Sequence, residues 1–540
     1  MAAALTAHEE GLSTLIVEKT PYVGGSTARS GGAFWMPANP ILAAAGSDDT
    51  VAAGRTYLDS VIGEASAHDR AHTFLYYGGS TVQMLRRTTA MKFQWAKGYS
   101  DYHPEKAGGS AVGRTCECRP FNTAVLGPDL ARLRPGVMKS SFPMPVTGAD
   151  YRWLNLMARV PRKSWPRIML RAFQGIGGLA LRRRYAAGGQ ALAAGMFAGV
   201  LRAGIPVWTN SPVRELLVDG GRATGAVVNR NGTAVTVVAR RGVVLATGGF
   251  DHRMDWRHKF QSERLEDHAS LGAEGNVGDG IRLAQDSCGA GTALMDQAWW
   301  FPAFAPLPGG EPTVMLAERS LPGCLLIDQN GRRFVNEAID YMSFGQKLLE
   351  RERAGNPVEV MWMVFDQKYR NSYLMAAELF PRMPIPAAWY DAGIAHRADD
   401  PSALARAIGV DPATFGATLD RFNELARAGA DTDFARGAGA YDRYYGDPTI
   451  APNPNLRPLG RGPFYAVKVV LSDLGTCGGL RTDVRGRVLR EDGSAVEGLY
   501  AIGNSAANAF GASYPGAGAT IGQGLVFGYI AALHAAGKLD

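Results

Sequence analysis

The hydrophobic pattern at the start of the chain predicts a helix, a strand and a loop. Residues Ala2 to Glu10 are rich in Ala and contain neither Pro nor a β-branched run, which favours a helix. Gly11 is a suitable residue to end it. The segment "STLIVEK" then predicts a short buried strand that ends near Glu18. Residues 24–32, "GGSTARSGG", predict a loop.

Strand patterns return in two later regions. Val213 to Phe250 alternates between apolar and polar residues, with turn signals at "DGGR" and "NRNG", and predicts a β-meander that ends in the buried run "GVVLATGG". A second buried strand runs from Gly498 to Asn504. From Thr520 the apolar residues follow a helical period, which places a helix N-terminus directly after a glycine-rich turn.

These elements are typical of a dinucleotide site. A helix, a tight turn and a strand ending in an acid form the second half of a βαβ unit, in which the acid binds a ribose hydroxyl. Amides and hydroxyls of residues 24–32 can hold a pyrophosphate or face a flavin ring, although a plain surface linker is the alternative interpretation. The N-terminus of the helix near Thr520 would favour negative charge on a ring oxygen.

The pattern also predicts the domain organisation. Cofactor-type signals occupy residues 1–290 and 462–540, whereas residues 291–461 lack them. We therefore expect a mixed α/β fold, with a discontinuous, Rossmann-like cofactor domain and an inserted substrate domain. Sites usually lie at the interface of such domains.

A helical basic insertion is predicted at about residues 148–184, where Trp, Leu, Ile and Met alternate with many Arg. The favoured interpretation is a helical segment that packs on the cofactor domain with its Arg side solvated. The alternative is a basic amphipathic helix on a membrane surface. No apolar run is long enough for an integral membrane span.

The net charge and the cysteine content of the chain indicate which classes of binding partner to expect. The net charge of +7 is too dilute over 540 residues to predict nucleic-acid binding. The five cysteines have no zinc-site spacing, so we expect reduced thiols, a cytoplasmic location and no metal ligands. Peripheral membrane contact stays open.

Several motifs together resemble those of one family. They are "SDYHPE", "GGQAL", "VVLATGGF", "DQAWW", "RRFVNEAIDYMSFG", "VLSDLGTCGGLRTD", "GLYAIGN" and "YPGAGATIGQG". In this order the chain resembles the 3-ketosteroid Δ1-dehydrogenases, which are FAD enzymes of the fumarate-reductase-like group. The combination of "SDYHPE", "NEAIDYMSFG" and "YPGAGATIG" is specific, whereas "GLYAIGN" alone is common to the wider group.

The resemblance implies a reaction and its residues. Two hydrogens leave C1 and C2 of the A ring of a 3-ketosteroid. Tyr341 matches the base that takes the C2 proton, and Tyr102 matches its hydrogen-bond partner. Tyr514 and the backbone amide of Gly518 match the pair that holds the C3 carbonyl oxygen. The hydride from C1 passes to N5 of FAD.

The residue types suit this chemistry. A C2 proton becomes acidic when two fixed donors stabilise charge on the adjacent carbonyl oxygen. A free tyrosine titrates near 10, so a tyrosine base needs a neighbour that stabilises its phenolate. A second tyrosine hydroxyl can do this. Trp299, Trp300 and Phe301 fit either a wall for a flat sterol or a domain-interface cluster. Asp473 and Cys477 are assigned no chemistry.

The residues expected to bind FAD lie in the predicted strands, loops and helix starts. They are Glu18, Lys19, Gly24, Gly25, Ser26, Thr27, Ser30, Gly31, Gly32, Val213, Thr247, Gly248, Gly249, Gly503, Asn504, Ala519, Thr520 and Ile521.

Three questions accompany this interpretation. The first strand and the Gly-rich phosphate loop expected before "MAAAL" are not in the sequence, and we expect them to be encoded upstream of Met1. The rival functions are a 3-ketosteroid Δ4-dehydrogenase, another fumarate-reductase-like oxidoreductase, or a flavin-less binding protein. The electron acceptor is external, and a quinone is one candidate because no NAD loop occurs elsewhere in the chain.

Overall fold

The computed structural model describes residues 1–63, 65–137, 143–267 and 269–539. Its α-helices, in chain order, are α1 Ala2–Glu9, α2 Gly25–Arg29, α3 Pro40–Ala44, α4 Val51–Val61, α5 Ala65–Thr88, α6 Gly148–Asn155, α7 Pro161–Ala180, α8 Gly188–Arg202, α9 Met254–Phe260, α10 Asp279–Cys288, α11 Tyr341–Arg353, α12 Gln367–Ser372, α13 Ala387–Asp391, α14 Pro401–Ala407, α15 Pro412–Ala428, α16 Ala440–Tyr444 and α17 Ala519–Ala535. Two 3-10 helices cover Thr123–Arg132 and Gly503–Ser505.

The β-strands, in chain order, are β1 Ile16–Val17, β2 Ala33–Trp35, β3 Phe93–Trp95, β4 Thr115–Cys118, β5 Phe121–Asn122, β6 Tyr185–Ala186, β7 Val207–Trp208, β8 Val213–Asp219, β9 Arg222–Arg230, β10 Thr233–Val238, β11 Val243–Leu245, β12 Thr292–Ala293, β13 Ala298–Phe304, β14 Thr313–Val314, β15 Cys324–Ile327, β16 Met361–Asp366, β17 Ala395–Ala398, β18 Phe464–Thr476, β19 Gly479–Leu480, β20 Arg487–Leu489 and β21 Ala495–Ala501.

The predicted opening elements are present. Helix α1 is followed by Gly11 in the left-handed region at φ 77°, as its predicted role as a helix stop requires. Strand β1 pairs in parallel with β7, with Ile16 opposite Val207. Helix α1 packs against α17 from the other end of the chain. The first and the last helix of the chain therefore pack together.

The predicted meander is confirmed. Strands β8, β9 and β10 pair antiparallel, and Thr233 lies opposite Arg230 across the "NRNG" turn. Strand β11 then pairs in parallel with β21, with Val244 opposite Tyr500. The buried strand near the C-terminus thus joins the strand that returns from the meander. Strand β1 lies in the separate two-stranded sheet with β7.

The middle of the chain forms a second large sheet, in the order β14-β13-β18-β16-β15, with β17 also paired to β18. Strand β18 belongs to residues 462–540, which the sequence assigns to the cofactor domain, so this sheet crosses the predicted boundary. The C-terminal end of β18 contacts the segment that follows Gly248 and Gly249, because the amide of Thr476 donates a hydrogen bond to Asp251 at 2.8 Å. The division into domains stays a prediction.

The basic segment is helical as predicted, but its packing differs. Helix α7 packs through small residues: a Cβ at Gly175 would lie 1.5 Å from the Pro143 carbonyl oxygen, and one at Gly178 would lie 2.8 Å from the Tyr185 ring. The large apolar side chains of α7 are exposed instead, namely Trp165, Met169, Leu170, Phe173, Ile176 and Leu179. The Arg side is solvated as expected, since Arg162 and Arg167 are exposed, but the large apolar side chains face solvent as well because the glycine face is the one that packs.

Within the part of the chain that the structure describes, no helix combines the length and apolar character needed to cross a bilayer.

Candidate active site

Three tyrosines from distant parts of the chain form the centre of the site. The ring centroids of Tyr102 and Tyr341 are 5.2 Å apart, those of Tyr102 and Tyr514 are 5.1 Å apart, and those of Tyr341 and Tyr514 are 5.5 Å apart. All three pairs meet edge to face, which is a favourable geometry for aromatic rings. Each ring is at most 5% exposed. The three tyrosines selected from the sequence therefore converge.

Tyr341 is held at the start of α11. Asp340 caps this helix by accepting the Ser343 amide at 2.9 Å through Oδ1. On the ring side, Phe301 packs against Tyr341 with centroids 4.5 Å apart. The helix start thus fixes the backbone of Tyr341, and β13 fixes its ring.

A buried ionic network supports the loop that leads to Tyr341. Arg333 pairs with both Glu337 and Asp431 at 2.7 Å. Arg319 donates to the backbone oxygen of Glu337 at 2.5 Å. Burial of these charges is costly unless each is paired, so loss of one partner leaves the others uncompensated. The sequence pattern "RRFVNEA" gave no sign of this network, because Asp431 is about a hundred residues away.

Tyr102 lies in the loop between β3 and β4. The preceding residue, Asp101, is buried and accepts a hydrogen bond from Trp35 Nε1 at 2.8 Å, and it pairs with Arg114. The backbone amide of Tyr102 donates to the carbonyl oxygen of Pro515 at 3.1 Å. Its hydroxyl is buried and has no hydrogen-bond partner among the described residues. An unpaired buried hydroxyl is costly, and a bound substrate or ionised neighbour would satisfy it.

The loop of Tyr514 is fixed by glycine geometry. Gly518 has φ 91°, and a Cβ at this position would lie 2.2 Å from the Ala33 carbonyl oxygen. Only glycine fits there, since both the backbone conformation and the close approach exclude a side chain. Gly518 caps α17, whose first residue is Ala519. The Gly518 amide thus stays next to the Tyr514 hydroxyl, on which it acts electrostatically.

Burial dominates the acidity of these tyrosines. It raises the pKa of Tyr341 well above 10, and among the main influences only the Tyr102 hydroxyl acts in the opposite direction. Burial also raises the pKa of Tyr514 to about 12, against the effects of Tyr341 and the Gly518 amide. Tyr102 thus lowers the pKa of Tyr341, the direction that stabilisation of a phenolate requires, but the effect of burial is larger.

A further group of tyrosines surrounds the three, and the sequence analysis missed it. Tyr441 packs on Tyr102 with centroids 4.8 Å apart, and Tyr99 stacks on Tyr444 at 4.5 Å. The signal available was the cluster "YDRYY" in α16 and its following residue. This cluster alone does not indicate a site, because tyrosines are common in protein cores and the spacing does not show which ring faces the three tyrosines.

The aromatic residues Trp299, Trp300 and Phe301 lie on strand β13. Trp299 packs on Tyr514 with centroids 4.6 Å apart, and Phe301 packs on Tyr341. Trp300 points to the other face, where a Cβ at Gly345 of α11 would lie 2.2 Å from it. Alternation along the strand therefore places Trp299 and Phe301 at the tyrosines and Trp300 against α11. Whether the first two line a sterol site stays a prediction.

Glu18 and Lys19 lie at the end of β1. The Glu18 carboxylate accepts both the amide and the hydroxyl of Thr20 at 2.8 Å through Oε1. Its Oε2 has no partner among the residues the structure describes, as a group that binds a ribose hydroxyl requires. Lys19 pairs with Asp279 of α10 at 2.5 Å.

Residues 24–32, expected as a loop, contain the short helix α2 Gly25–Arg29, because the glycines lie at the ends of the segment and leave Ser26 to Arg29 free to form a helical turn. This segment approaches the start of α8 closely. A Cβ at Gly32 would lie 2.2 Å from the backbone of Gly188, whereas at Gly25 and Gly31 a Cβ would meet open space. Ser30 holds the turn, since its hydroxyl donates to the Thr27 carbonyl oxygen at 2.9 Å. The backbone at Gly25 and Gly31 therefore leaves room for a ligand, and a diphosphate group would fit there.

Two glycine-rich segments meet through one asparagine. Asn276 Nδ2 donates to the Ser26 hydroxyl at 2.9 Å, which anchors the first loop next to Gly24 and Gly25. A Cβ at Gly248 would lie 2.3 Å from Asn276 Oδ1, and one at Gly249 would lie 2.0 Å from the Thr476 hydroxyl. The structure thus brings the predicted segments at residues 24–32 and 247–249 together. The sequence analysis missed Asn276, which belongs to no glycine motif.

The third segment joins the cofactor side to the tyrosines. Asn504 Oδ1 accepts the Trp299 indole N–H at 3.1 Å and the Thr520 hydroxyl at 3.2 Å. Thr247 binds the Ser505 hydroxyl through its amide at 2.8 Å. Gly503 has φ 58° and open space at its Cβ position. These segments therefore border one continuous region.

The remaining predicted contacts lie on the helix and strand ends. Ala519, Thr520 and Ile521 form the first turn of α17, where amides lack partners within the helix. Val213 begins β8 and packs against the cluster that contains Leu245 of β11. Together, a carboxylate, glycine-lined backbone and a helix start fit FAD, which carries ribose, diphosphate and a flavin ring.

Comparison with known proteins supports this arrangement. A family model described as FAD binding domain matches residues 1–521. A 3-oxosteroid 1-dehydrogenase of Mycobacterium tuberculosis is 43% identical over 545 residues, which cover 99% of this chain and 96% of that protein. A 4-oxocyclohexanecarboxylate 2-dehydrogenase of Sinomonas cyclohexanicum is 33% identical over 567 residues, which cover 100% of this chain and 91% of that protein.

A solved structure is also similar. The crystal structure of 3-ketosteroid Δ1-dehydrogenase from Sterolibacterium denitrificans, in complex with 1,4-androstadiene-3,17-dione, superposes with a TM-score of 0.91. Its sequence is 36% identical, and the match covers 99% of this chain and 97% of that one. The fold and the family expected from the sequence are thus confirmed.

Proposed function

The chain belongs to the FAD-binding 3-oxosteroid 1-dehydrogenase family, and from this premise we propose that it introduces a C1–C2 double bond into the A ring of a 3-ketosteroid. The observation that carries the proposal is the convergence of Tyr102, Tyr341 and Tyr514 in one buried cluster. The similarity to relatives that are named for this reaction supports it.

Tyr341 takes the proton from C2. Its position at the start of α11 and its contact with Phe301 orient the hydroxyl within the cluster. The Tyr102 hydroxyl, which has no hydrogen-bond partner among the described residues, donates a hydrogen bond to the Tyr341 phenolate and can accept one once Tyr341 has taken the proton. The buried ring surroundings exclude water, so the proton passes between defined groups.

Tyr514 and the Gly518 amide hold the C3 carbonyl oxygen. Removal of the C2 proton places negative charge on this oxygen, and each fixed donor then contributes roughly 3–4 kcal/mol to the lowering of the barrier. Gly518 is locked by its contact with Ala33, and Tyr514 stays neutral because burial keeps its pKa high. Both donors are therefore preorganised before substrate enters.

FAD, when bound, supplies the acceptor for the hydride that leaves C1. The chain's own part is to hold the ring system beside the tyrosines, through the first turn of α17 and through Asn504, which contacts Trp299. With one proton lost from C2 and one hydride from C1, the new double bond forms without any other reactant.

Product analysis tests the reaction. The flavin-loaded protein is incubated with 5α-androstane-3,17-dione, in which both C1–C2 and C4–C5 are saturated, and with an artificial electron acceptor. We expect the 1-ene product. A 4-ene product would identify a Δ4-dehydrogenase instead, and no product from any 3-ketosteroid, with stoichiometric flavin present, would contradict the proposal.

We also propose that the external acceptor is a quinone, reached at a membrane surface. Helix α7 exposes a row of large apolar side chains, including Phe173 at 79% exposure, and Arg162, Lys163 and Arg167 lie on the same helix. An apolar face flanked by cations matches the interface of an anionic bilayer. The membrane contact and the quinone suit each other, since quinones dissolve in lipid.

Vesicle binding and acceptor assays test this proposal. The protein should sediment with vesicles that contain phosphatidylglycerol, and Phe173→Ser should weaken this binding. Val238→Ser is the matched control, because Val238 is equally exposed, at 72%, on strand β10. Equal binding of all three proteins would exclude α7 as the contact. Failure to reduce a short-chain ubiquinone or menaquinone would exclude a quinone acceptor without affecting the steroid reaction.

A further inference from the structure

Two histidines and an aspartate converge away from the tyrosine cluster. His68 and His72 are four residues apart on α5, so both lie on one face of that helix. Asp59 lies on the preceding helix, α4. His68 Nδ1 is 2.9 Å and His72 Nε2 is 2.6 Å from the same oxygen, Oδ1 of Asp59. Neither the proposed reaction nor the cofactor site uses these side chains.

The geometry is that of a ligand set. The two imidazole nitrogens and the carboxylate oxygen all lie within 4.8 Å of one another, close enough to share one ion. Two imidazoles and one carboxylate are a combination that suits Zn²⁺ and its neighbours in the first transition series. The three side chains are partly exposed, at 26–40%, so water can enter and complete the coordination.

Asp59 supplies the negative charge of the ligand set, and its Oδ1 faces a nitrogen of each imidazole. Arg55 lies 3.8 Å from the other oxygen, Oδ2, and is itself mostly exposed. It can therefore remain on Oδ2, or turn into solvent, while Oδ1 binds an ion.

The position of the cluster gives such an ion a structural effect. Helices α4 and α5 pack against each other, and α5 packs against α17. Tyr57, two residues before Asp59, donates a hydrogen bond to the Pro515 carbonyl oxygen at 2.7 Å. An ion shared by α4 and α5 would tie together two helices that support the loop of Tyr514.

We propose that Asp59, His68 and His72 form a binding site for a divalent transition-metal cation of the Zn²⁺ type, which joins α4 to α5. None of the three side chains makes a hydrogen bond or ring contact with Tyr102, Tyr341 or Tyr514 in the described part of the chain, so the ion would take no direct part in the steroid reaction. Sequence analysis predicted no metal ligands, since one of the three residues comes from a different helix and a histidine pair alone is weak evidence.

The experiment uses the flavin-loaded, untagged full chain after removal of metals with a chelator. Zn²⁺ binding is measured by titration calorimetry, and the melting temperature is measured as a function of Zn²⁺ concentration. We expect one equivalent of Zn²⁺ to bind and the melting temperature to rise with concentration, as for any ligand that binds only the native state.

Variants locate the site. His72→Ala and Asp59→Asn should each weaken Zn²⁺ binding by at least about tenfold, since each removes one of three protein ligands. His8→Ala, on the exposed end of α1, is the matched control and should leave binding unchanged. Flavin content and basal steroid turnover report whether each variant is folded. Equal Zn²⁺ binding by wild type and His72→Ala, or no effect of Zn²⁺ on wild type, would overturn the proposal.

Discussion

The hydroxyl of Tyr57 donates a hydrogen bond of 2.7 Å to the carbonyl oxygen of Pro515. The same carbonyl oxygen accepts the backbone amide of Tyr102 at 3.1 Å. Because Pro515 directly follows Tyr514, one oxygen atom links the backbones of two tyrosines of the site. The Tyr57 hydroxyl also accepts the backbone amide of His103, the residue after Tyr102, at 3.2 Å. Tyr57 is therefore a positioning residue, which acts on the site through the backbones that follow Tyr102 and Tyr514.

Substitution of Tyr57 by Phe tests this relationship. Removing the two hydrogen bonds of the Tyr57 hydroxyl, to Pro515 and from His103, should lower kcat by about threefold to tenfold, with little change in KM. The shape of the pH profile should stay the same, since the proton-transferring groups are intact. Tyr76→Phe, at an exposed position on the neighbouring helix, is the control. A change in KM alone would contradict a positioning role for Tyr57.

Substitutions in the cluster separate the base from the carbonyl-binding donor. Tyr341→Phe should abolish turnover almost completely, because Phe cannot accept a proton. Tyr514→Phe should lower kcat by about a hundredfold or more, because it removes one donor to the developing charge. Flavin content, measured by absorbance, should stay unchanged in both. Retention of more than about a tenth of wild-type activity by Tyr341→Phe would mean that another base acts.

The rate should rise with pH over the whole range in which the protein is stable. The base must be unprotonated, and burial raises the pKa of Tyr341 well above 10, so its active fraction is small near neutrality and grows with pH. Below that pKa, kcat/KM is expected to increase by about tenfold per pH unit when chemistry limits the rate. A flat profile between neutral and mildly alkaline pH would argue against a tyrosine base. Replacement of Tyr341 by a fluorinated tyrosine should move the profile toward acid.

Gly31→Ala should reduce flavin content with little effect on the apoprotein. A Cβ at this position meets open space in the protein itself, so the change should be tolerated unless the cofactor fills that space. Gly416→Ala, on helix α15, also meets open space and lies far from the cofactor loops in sequence. It should keep full flavin content. The two variants are compared by flavin absorbance per protein and by melting temperature; equal flavin content would place FAD away from Gly31.

Arg333→Leu should destabilise the fold strongly. It leaves Glu337 and Asp431 buried without their shared partner, at a cost of about 3 kcal/mol or more, although Arg436 still pairs with Glu337 at 3.2 Å. Urea unfolding followed by fluorescence measures the loss. Arg421→Leu, which breaks the exposed pair with Asp433, should change the midpoint little. Similar effects of the two substitutions would show that the buried network contributes no special stability.

The sequence predicted the elements that local pattern determines. Helix α1, strand β1 and the meander of β8 to β10 follow from periodicity and turn residues, which act over a few positions. The cofactor loops at residues 24–32 and 247–249 were also found, because glycine clusters are visible without a structure. The contact between these two segments through Asn276 was not predicted, because a lone asparagine carries no periodic signal.

The three tyrosines were found by resemblance, whereas their surroundings were not. Tyr441 and Tyr99 reach the cluster only because α16 and the loop after β3 fold against it. The pairing of strand β18 with β13, β16 and β17 was not predicted, since an apolar run does not specify its partners. The orientation of α7 depended on whether its glycines or its large apolar residues packed, and composition alone does not decide this.

The shared acceptor at Asn504 has a thermodynamic consequence. One amide oxygen receives the Trp299 indole from the strand beside the tyrosines and the Thr520 hydroxyl from the first turn of α17. A steroid ring that displaces the Trp299 indole therefore changes the hydrogen bonding of the first turn of α17. By thermodynamic reciprocity, the factor by which the steroid changes the affinity for the cofactor equals the factor by which the cofactor changes the affinity for the steroid. Occupancy on the two sides of Asn504 is thus expected to be coupled, so a steroid affinity has meaning only together with the flavin content at which it was measured.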